Sequence, residues 1–189
     1  MTKGGIRITA VVAGAILVAL VIWLVLSSGN HPGQPSHQAH AQSSVPRSNS
    51  GAAILAIATL ERTARRLGAP VYWVGPRTKL NYEFTAATSG RRYVRYLPKG
   101  VKAGDPRPDF LTVGTYEIPH PLADLRRASR AHDAETIHLP GGGLALMDRS
   151  KPTSAFIVRP GWTAQVEVYD PKPGMAMELI LNGDVRAVR

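Results

Sequence analysis

The hydrophobic and polar positions of the chain divide it into four stretches. Residues 8–26 form an uncharged run of 19 in which Thr9 is the only hydroxyl. As an α-helix such a run is about 28 Å long, which matches the ~30 Å hydrocarbon core of a bilayer. Residues 27–50 are Ser, Gln, His, Pro, Gly and Asn with no aliphatic periodicity. That composition cannot bury enough apolar surface to offset the entropy of ordering, so it predicts a disordered linker with a reach of roughly 27 Å. Residues 1–7 precede the span, and residues 51–189, 139 in all, are of the size of one domain.

Within the domain the period switches between helix and strand. Ile54, Ile57, Leu60, Ala64 and Leu67 recur at spacings of three and four, which predicts a helix stopped by Gly68 and Pro70. "PVYWVGP" is apolar on both faces and reads as a short central strand. "KLNYEFTA" alternates, with Leu80, Tyr82, Phe84 and Ala86 on one face and Lys79, Asn81, Glu83 and Thr85 on the other. A three-residue loop, Thr88-Ser89-Gly90, joins it to "RRYVRYL" as a hairpin. That loop pairs Thr85 with Tyr93, Glu83 with Arg95, Phe84 with Val94 and Tyr82 with Tyr96. Val94 and Tyr96 then face the core, and Arg91, Tyr93 and Arg95 face outward.

Beyond a Pro/Gly loop, "FLTVGTYEI" reads as a strand and "HPLADLRRASRAH" as a second helix carrying Leu122, Leu125 and Ala128. Four strands follow: residues 136–139 and 144–148 across the glycines of "PGGG", then "SAFIVR" and "WTAQVEVYD". The tail favours a helix ending at Gly183 and a short strand, over a hairpin turning at Asn182-Gly183. The fold class expected is α+β: a transmembrane helix, a linker, and one domain of antiparallel sheet packed with two or three helices. Sliding the domain by 65 residues superposes Leu60 on Leu125, Arg62 on Arg127, Arg65 on Arg130 and Ala69 on Ala134. A duplicated helix-plus-four-strand unit is therefore a further expectation.

Charge orients the chain. Lys3 and Arg7 precede the apolar span, and no charged side chain follows it before Arg47. The basic bias places residues 1–7 in the cytoplasm and the domain outside, as in an uncleaved signal anchor of the cell envelope. A cleaved signal fits less well, because the small-x-small triplet Ala39-His40-Ala41 lies too far beyond the apolar run. The domain holds all 13 acidic and 20 of the 23 basic side chains, a net charge of +7. Outside a membrane, such an excess favours anionic lipid head groups or anionic envelope polymer over nucleic acid.

Candidate chemistry is sparse. With no cysteine, thiol catalysis and thiolate metal sites are excluded. Nucleotide, nucleophile-elbow and zinc-protease motifs are absent from the sequence. His120, His132, Asp133, Glu135 and His138 are spaced too loosely for a ligand set, and the linker histidines His31, His37 and His40 read as polar filler. No catalytic residue, cofactor or protein partner is assigned. The one binding candidate is Arg91, Tyr93 and Arg95, an anionic-surface contact weighed against the ordinary wet face of a strand. The function expected is a non-catalytic binding or assembly module, with a wall or periplasmic hydrolase as the alternative.

Overall fold

A computed structural model describes residues 51–87 and 89–189. The cytoplasmic segment, the transmembrane helix and the linker expected at residues 1–50 lie outside the described residues. Among the described residues no helix is long and apolar enough to cross a membrane.

The first half of the domain contains β1 (Ala53–Leu55), α1 (Ile57–Arg66), β2 (Tyr72–Trp73), β3 (Leu80–Ala86), β4 (Arg91–Pro98) and β5 (Thr112–Glu117). The second contains α2 (Pro121–Ala128), β6 (Ala134–Leu139), β7 (Gly143–Asp148), β8 (Ser154–Val158) and β9 (Ala164–Tyr169). The tail forms α3 (Met175–Leu181) and β10 (Arg186–Ala187), the helix-then-strand alternative. Eight strands make one antiparallel sheet in the order β1-β3-β4-β5-β9-β8-β7-β6, and β2 pairs with β10 apart from it. The α+β class with antiparallel sheet and three helices is thus the observed architecture.

The hairpin register is the expected one: Thr85 faces Tyr93, Glu83 faces Arg95, Phe84 faces Val94 and Tyr82 faces Tyr96. Its alternation is strict enough that a one-residue slip would drive Glu83 and Arg95 into the apolar layer. Val94 and Tyr96 are buried in a core with Tyr82, Phe84, Val113, Val166 and Val168. The same face carries α1, through Leu60 and Ala64, and α3, through Ala176, Met177, Leu179 and Ile180. The opposite face is covered in two pieces. Over β7 and β8, Leu125 and Ala128 of α2 pack on Leu144, Leu146, Phe156 and Val158. Over β3 and β4, the loop of residues 99–110 takes that role, with Phe110 and Leu97 buried.

Two expectations need correction. Ile54 does not belong to the first helix; it sits in β1, 42% exposed, pairing with Glu83 at the edge of the sheet. The apolar "PVYWVGP" is not a central strand of the main sheet. Val71, Tyr72, Trp73 and Val74 are buried because β2 lies across the core face as a second layer. Its N–H groups are met by side chains of the sheet: Tyr72 N–H donates to Thr115 Oγ1 (3.1 Å) and Val74 N–H to Tyr96 Oη (2.9 Å). Periodicity cannot separate these cases, since both bury a strand on two faces.

Symmetry across the sheet is partial. The strand order is matched about the β5–β9 seam, but β1 takes the edge place beside β3 that a repeated unit would give to β2. A twofold axis through an antiparallel pair is perpendicular to the sheet and keeps equivalent helices on one face. Here α1 and α2 pack in separate clusters on opposite faces.

Candidate functional site

Two polar clusters lie on the face that the sequence reading took to be wet. The first contains the expected trio. Arg91 is exposed at the start of β4, beside the turn where Ala87 N–H donates to Arg91 O. Tyr93 is half-buried, its ring edge-on to Tyr116 at 6.0 Å. Arg95 is not available to a ligand. Its Nη1 donates to Glu83 Oε1 at 2.9 Å, and its Nη2 donates to the carbonyls of Asp105 (2.9 Å) and Arg107 (3.0 Å).

Glu83 in turn accepts the Gly104 N–H at 2.6 Å and is only 3% exposed at its side chain, with Arg95 at 18%. The guanidiniums of Arg95 and Arg107 both lie over the Phe110 ring, at 5.1 and 5.3 Å. The exposed ion pair expected between Glu83 and Arg95 is therefore a covered one that pins the loop of residues 99–110 to the sheet. Within that loop the hydrogen bonds from Arg107 hold the Asp105 carboxyl down at about 2. Arg91, Tyr93 and Arg95 share a strand face but not an accessible surface.

The second cluster was not foreseen. Gln165, Glu167 and Tyr169 are the polar face of β9 by alternation, yet Gln165 and Glu167 are buried. Glu167, 8% exposed, stands at the β5–β9 seam opposite Gly114. Tyr116 Oη donates to Glu167 Oε2 at 2.6 Å, and Ser154 Oγ to Glu167 Oε1 at 3.1 Å. The Tyr116 ring reaches the carboxylate by lying back over Gly114: a Cβ there would meet Tyr116 Oη at 2.6 Å and Cζ at 2.9 Å. A glycine inside a strand pattern is the sequence signal for such a close approach. Burial raises the Glu167 carboxyl above its ordinary value against the opposing pull of those two hydrogen bonds. Burial first, then the Glu167 charge, raises the Tyr116 hydroxyl well above its own.

A carboxyl with a raised pKa beside two hydroxyls has the composition of a general acid–base site. Its geometry is closed, because both carboxylate oxygens already accept bonds and Ser154 is buried. Among the described residues no three metal-capable side chains converge; His132 Nδ1 meets only Asp133, at 3.0 Å on the surface. No protein-family model matches the chain, and no curated protein or solved structure does either.

Proposed function

We propose that this chain is a single-pass, membrane-anchored envelope protein with a cytoplasmic N-terminus. Its extracytoplasmic α+β domain acts as a non-catalytic binding or assembly module for anionic lipid head groups or anionic envelope polymer. The observation that carries this reading is the division of charge. The buried carboxylates Glu83 and Glu167 are bonded to partners within the fold, whereas Arg62, Arg65, Arg66, Arg91, Arg126 and Arg130 stand exposed. Polar groups engaged with each other stabilise a scaffold, and exposed arginines are suited to anionic oxygens.

Two measurements test it. Protease added outside cells with the outer barrier opened releases a domain fragment by cutting within residues 27–50. The full chain in bilayers binds anionic vesicles or wall polymer with an affinity that falls as salt rises. Complete protection of the domain, or binding indifferent to salt and to ligand charge, defeats the proposal.

The hydrolase reading keeps one specific support, the Tyr116–Glu167–Ser154 cluster. It requires Glu167→Gln to abolish a hydrolytic activity of the full chain on wall polymer while leaving binding intact. The duplicated unit retains the strand order and the Leu60–Leu125 correspondence as its support.

A further inference from the structure

A groove of about 450 Å³ opens between α1 and the β2–β10 pair, lined by Glu61, Trp73, Pro76, Arg186, Ala187 and Arg189. It lies apart from both clusters described above. Its apolar wall comes from the core: Trp73 is buried, with its ring edge-on to Tyr82 at 5.9 Å. Its two arginines are not among those engaged in ion pairs. Arg77 is tied to Asp184 at 3.0 Å, Arg92 to Glu117 at 3.2 Å and Arg127 to Asp124 at 3.2 Å. Arg186 and Arg189 have no ion-pair partner among the described residues.

Arg186 lies close to the backbone of the turn at Gly75. Its guanidinium lies over Gly75, where a Cβ would meet Arg186 Cζ at 3.0 Å. Gly75 has a left-handed φ of 74°, and its carbonyl accepts the Tyr96 hydroxyl at 3.1 Å from beneath. A side chain at position 75 would displace the guanidinium, and any residue but glycine would strain the turn.

We infer that this groove is a binding site for a phosphodiester of a small polyol. Two guanidiniums fit the two non-bridging oxygens of a tetrahedral phosphate better than they fit one planar carboxylate. The Glu61 carboxylate lies in the same lining and repels a second negative charge, which favours a monoanionic diester over a dianionic monoester. Its carboxylate also accepts hydrogen bonds from polyol hydroxyls. Trp73, Pro76 and Ala187 supply apolar contact for the carbon skeleton. The inference rests on the proposed reading of the domain as a module for anions, and it names the place and the chemistry. A phospholipid head group and a free or polymeric polyol phosphate share that chemistry.

The full chain in neutral detergent is titrated calorimetrically with glycerophosphoglycerol, with glycerol phosphate and with glycerol, following the Trp73 indole N–H by NMR. It is then placed in bilayers of phosphatidylglycerol or phosphatidylcholine. The diester binds more tightly than the monoester, glycerol does not bind, and the Trp73 signal moves. Arg186→Ala and Arg189→Ala each weaken diester binding by about tenfold or more. Glu61→Gln reduces the preference for diester over monoester. Arg149→Ala, exposed and outside the groove, changes nothing.

Arg186→Lys and the exposed Arg189 keep the test usable if Arg186→Ala disturbs the Gly75 turn. Binding confined to phosphatidylglycerol bilayers identifies the head group as the source, and equal binding of the soluble diester identifies a free or polymeric one. Unaltered diester affinity in both arginine variants, at unchanged melting temperature, overturns the groove even if anionic bilayers still bind and the proposed function stands. Groove binding by a chain whose domain proves to be cytoplasmic does the reverse.

Discussion

Arg95 and Arg91 lie four residues apart on one strand face and have different physical roles. Arg95 is the partner of a carboxylate that water scarcely reaches, and it also holds two loop carbonyls. Arg95→Ala leaves Glu83 buried without its counter-charge and is expected to cost about 2–4 kcal/mol in denaturant unfolding. Arg91→Ala, at an exposed position, changes stability by under about 0.5 kcal/mol. Similar small effects for both would mean that the loop of residues 99–110 does not cover the pair. The pairing itself was legible from alternation and from Gly90. The burial was not, because "PKGVKAGDPRPD" has no period and its cover over Glu83 arises from the Gly104 N–H, from Phe110 and from two carbonyls distant in sequence.

Glu167 extends the residue scale to pH. In the unfolded chain its carboxyl titrates near 4.5, and in the folded chain burial raises it. The native state then holds the proton more firmly, so its contribution to stability is full below 4.5 and is lost as pH rises through the folded value. Tyr116 repeats the pattern on the alkaline side, above its ordinary 10.0. Asp105 has the opposite sign, with stability lost as pH falls from 3.8 towards about 2. Glu167→Gln keeps an acceptor for Tyr116 and a donor for Ser154. Relative to the parent, it should gain stability as pH rises from 4 to 8 in urea melts. A constant difference across that range would show that Glu167 titrates as an ordinary carboxyl.

At the scale of elements, β2 and β10 deserve separate treatment from the main sheet, because two-residue strands are too short to stand alone. They stay in place through the sheet beneath. Tyr96 Oη accepts the Val74 N–H at 2.9 Å and donates to the Gly75 carbonyl at 3.1 Å, while Val188 N–H donates to Val71 O at 2.8 Å. Tyr96→Phe strands one buried donor and one acceptor, and is expected to cost about 1–3 kcal/mol. The amides of Val74 and Val188 should lose hydrogen-exchange protection before those of β4. Loss of protection spread evenly over the sheet would argue that β2 is not a separately held layer. "PVYWVGP" announced burial without announcing its partner. A side-chain hydroxyl that meets a backbone amide 22 residues away leaves no trace in local pattern.

For the whole molecule, the halves of the domain meet along β5 and β9, whose paired residues are some fifty positions apart, as Gly114 and Glu167 illustrate. Gly114, Tyr116 and Glu167 close that seam on one face, and Val113, Val166 and Val168 on the other. Gly114→Ala pushes the Tyr116 ring off its carboxylate and is expected to destabilise by about 1–3 kcal/mol in thermal melts, through overpacking and a lost buried hydrogen bond. A neutral Gly114→Ala would place the ring elsewhere. Every strand but β1, the three helices and the β3–β4 register were readable from alternation and turn residues. The buried polar seam was not, because alternation marks Gln165 and Glu167 as outward, and only α2 and Tyr116, packed from elsewhere, make that face an interior.

The residues expected to link the domain to a membrane continue at Gly51 into β1, which grips the sheet through only three residue pairs, Ala53 with Phe84, Ile54 with Glu83 and Leu55 with Tyr82. If the domain holds a fixed envelope structure while its other end is anchored, any pull arrives at that strand first. A strand held by three pairs has few bonds to resist it. Under such a pull β1 would give way before the seven strands behind it, which would keep their pairing.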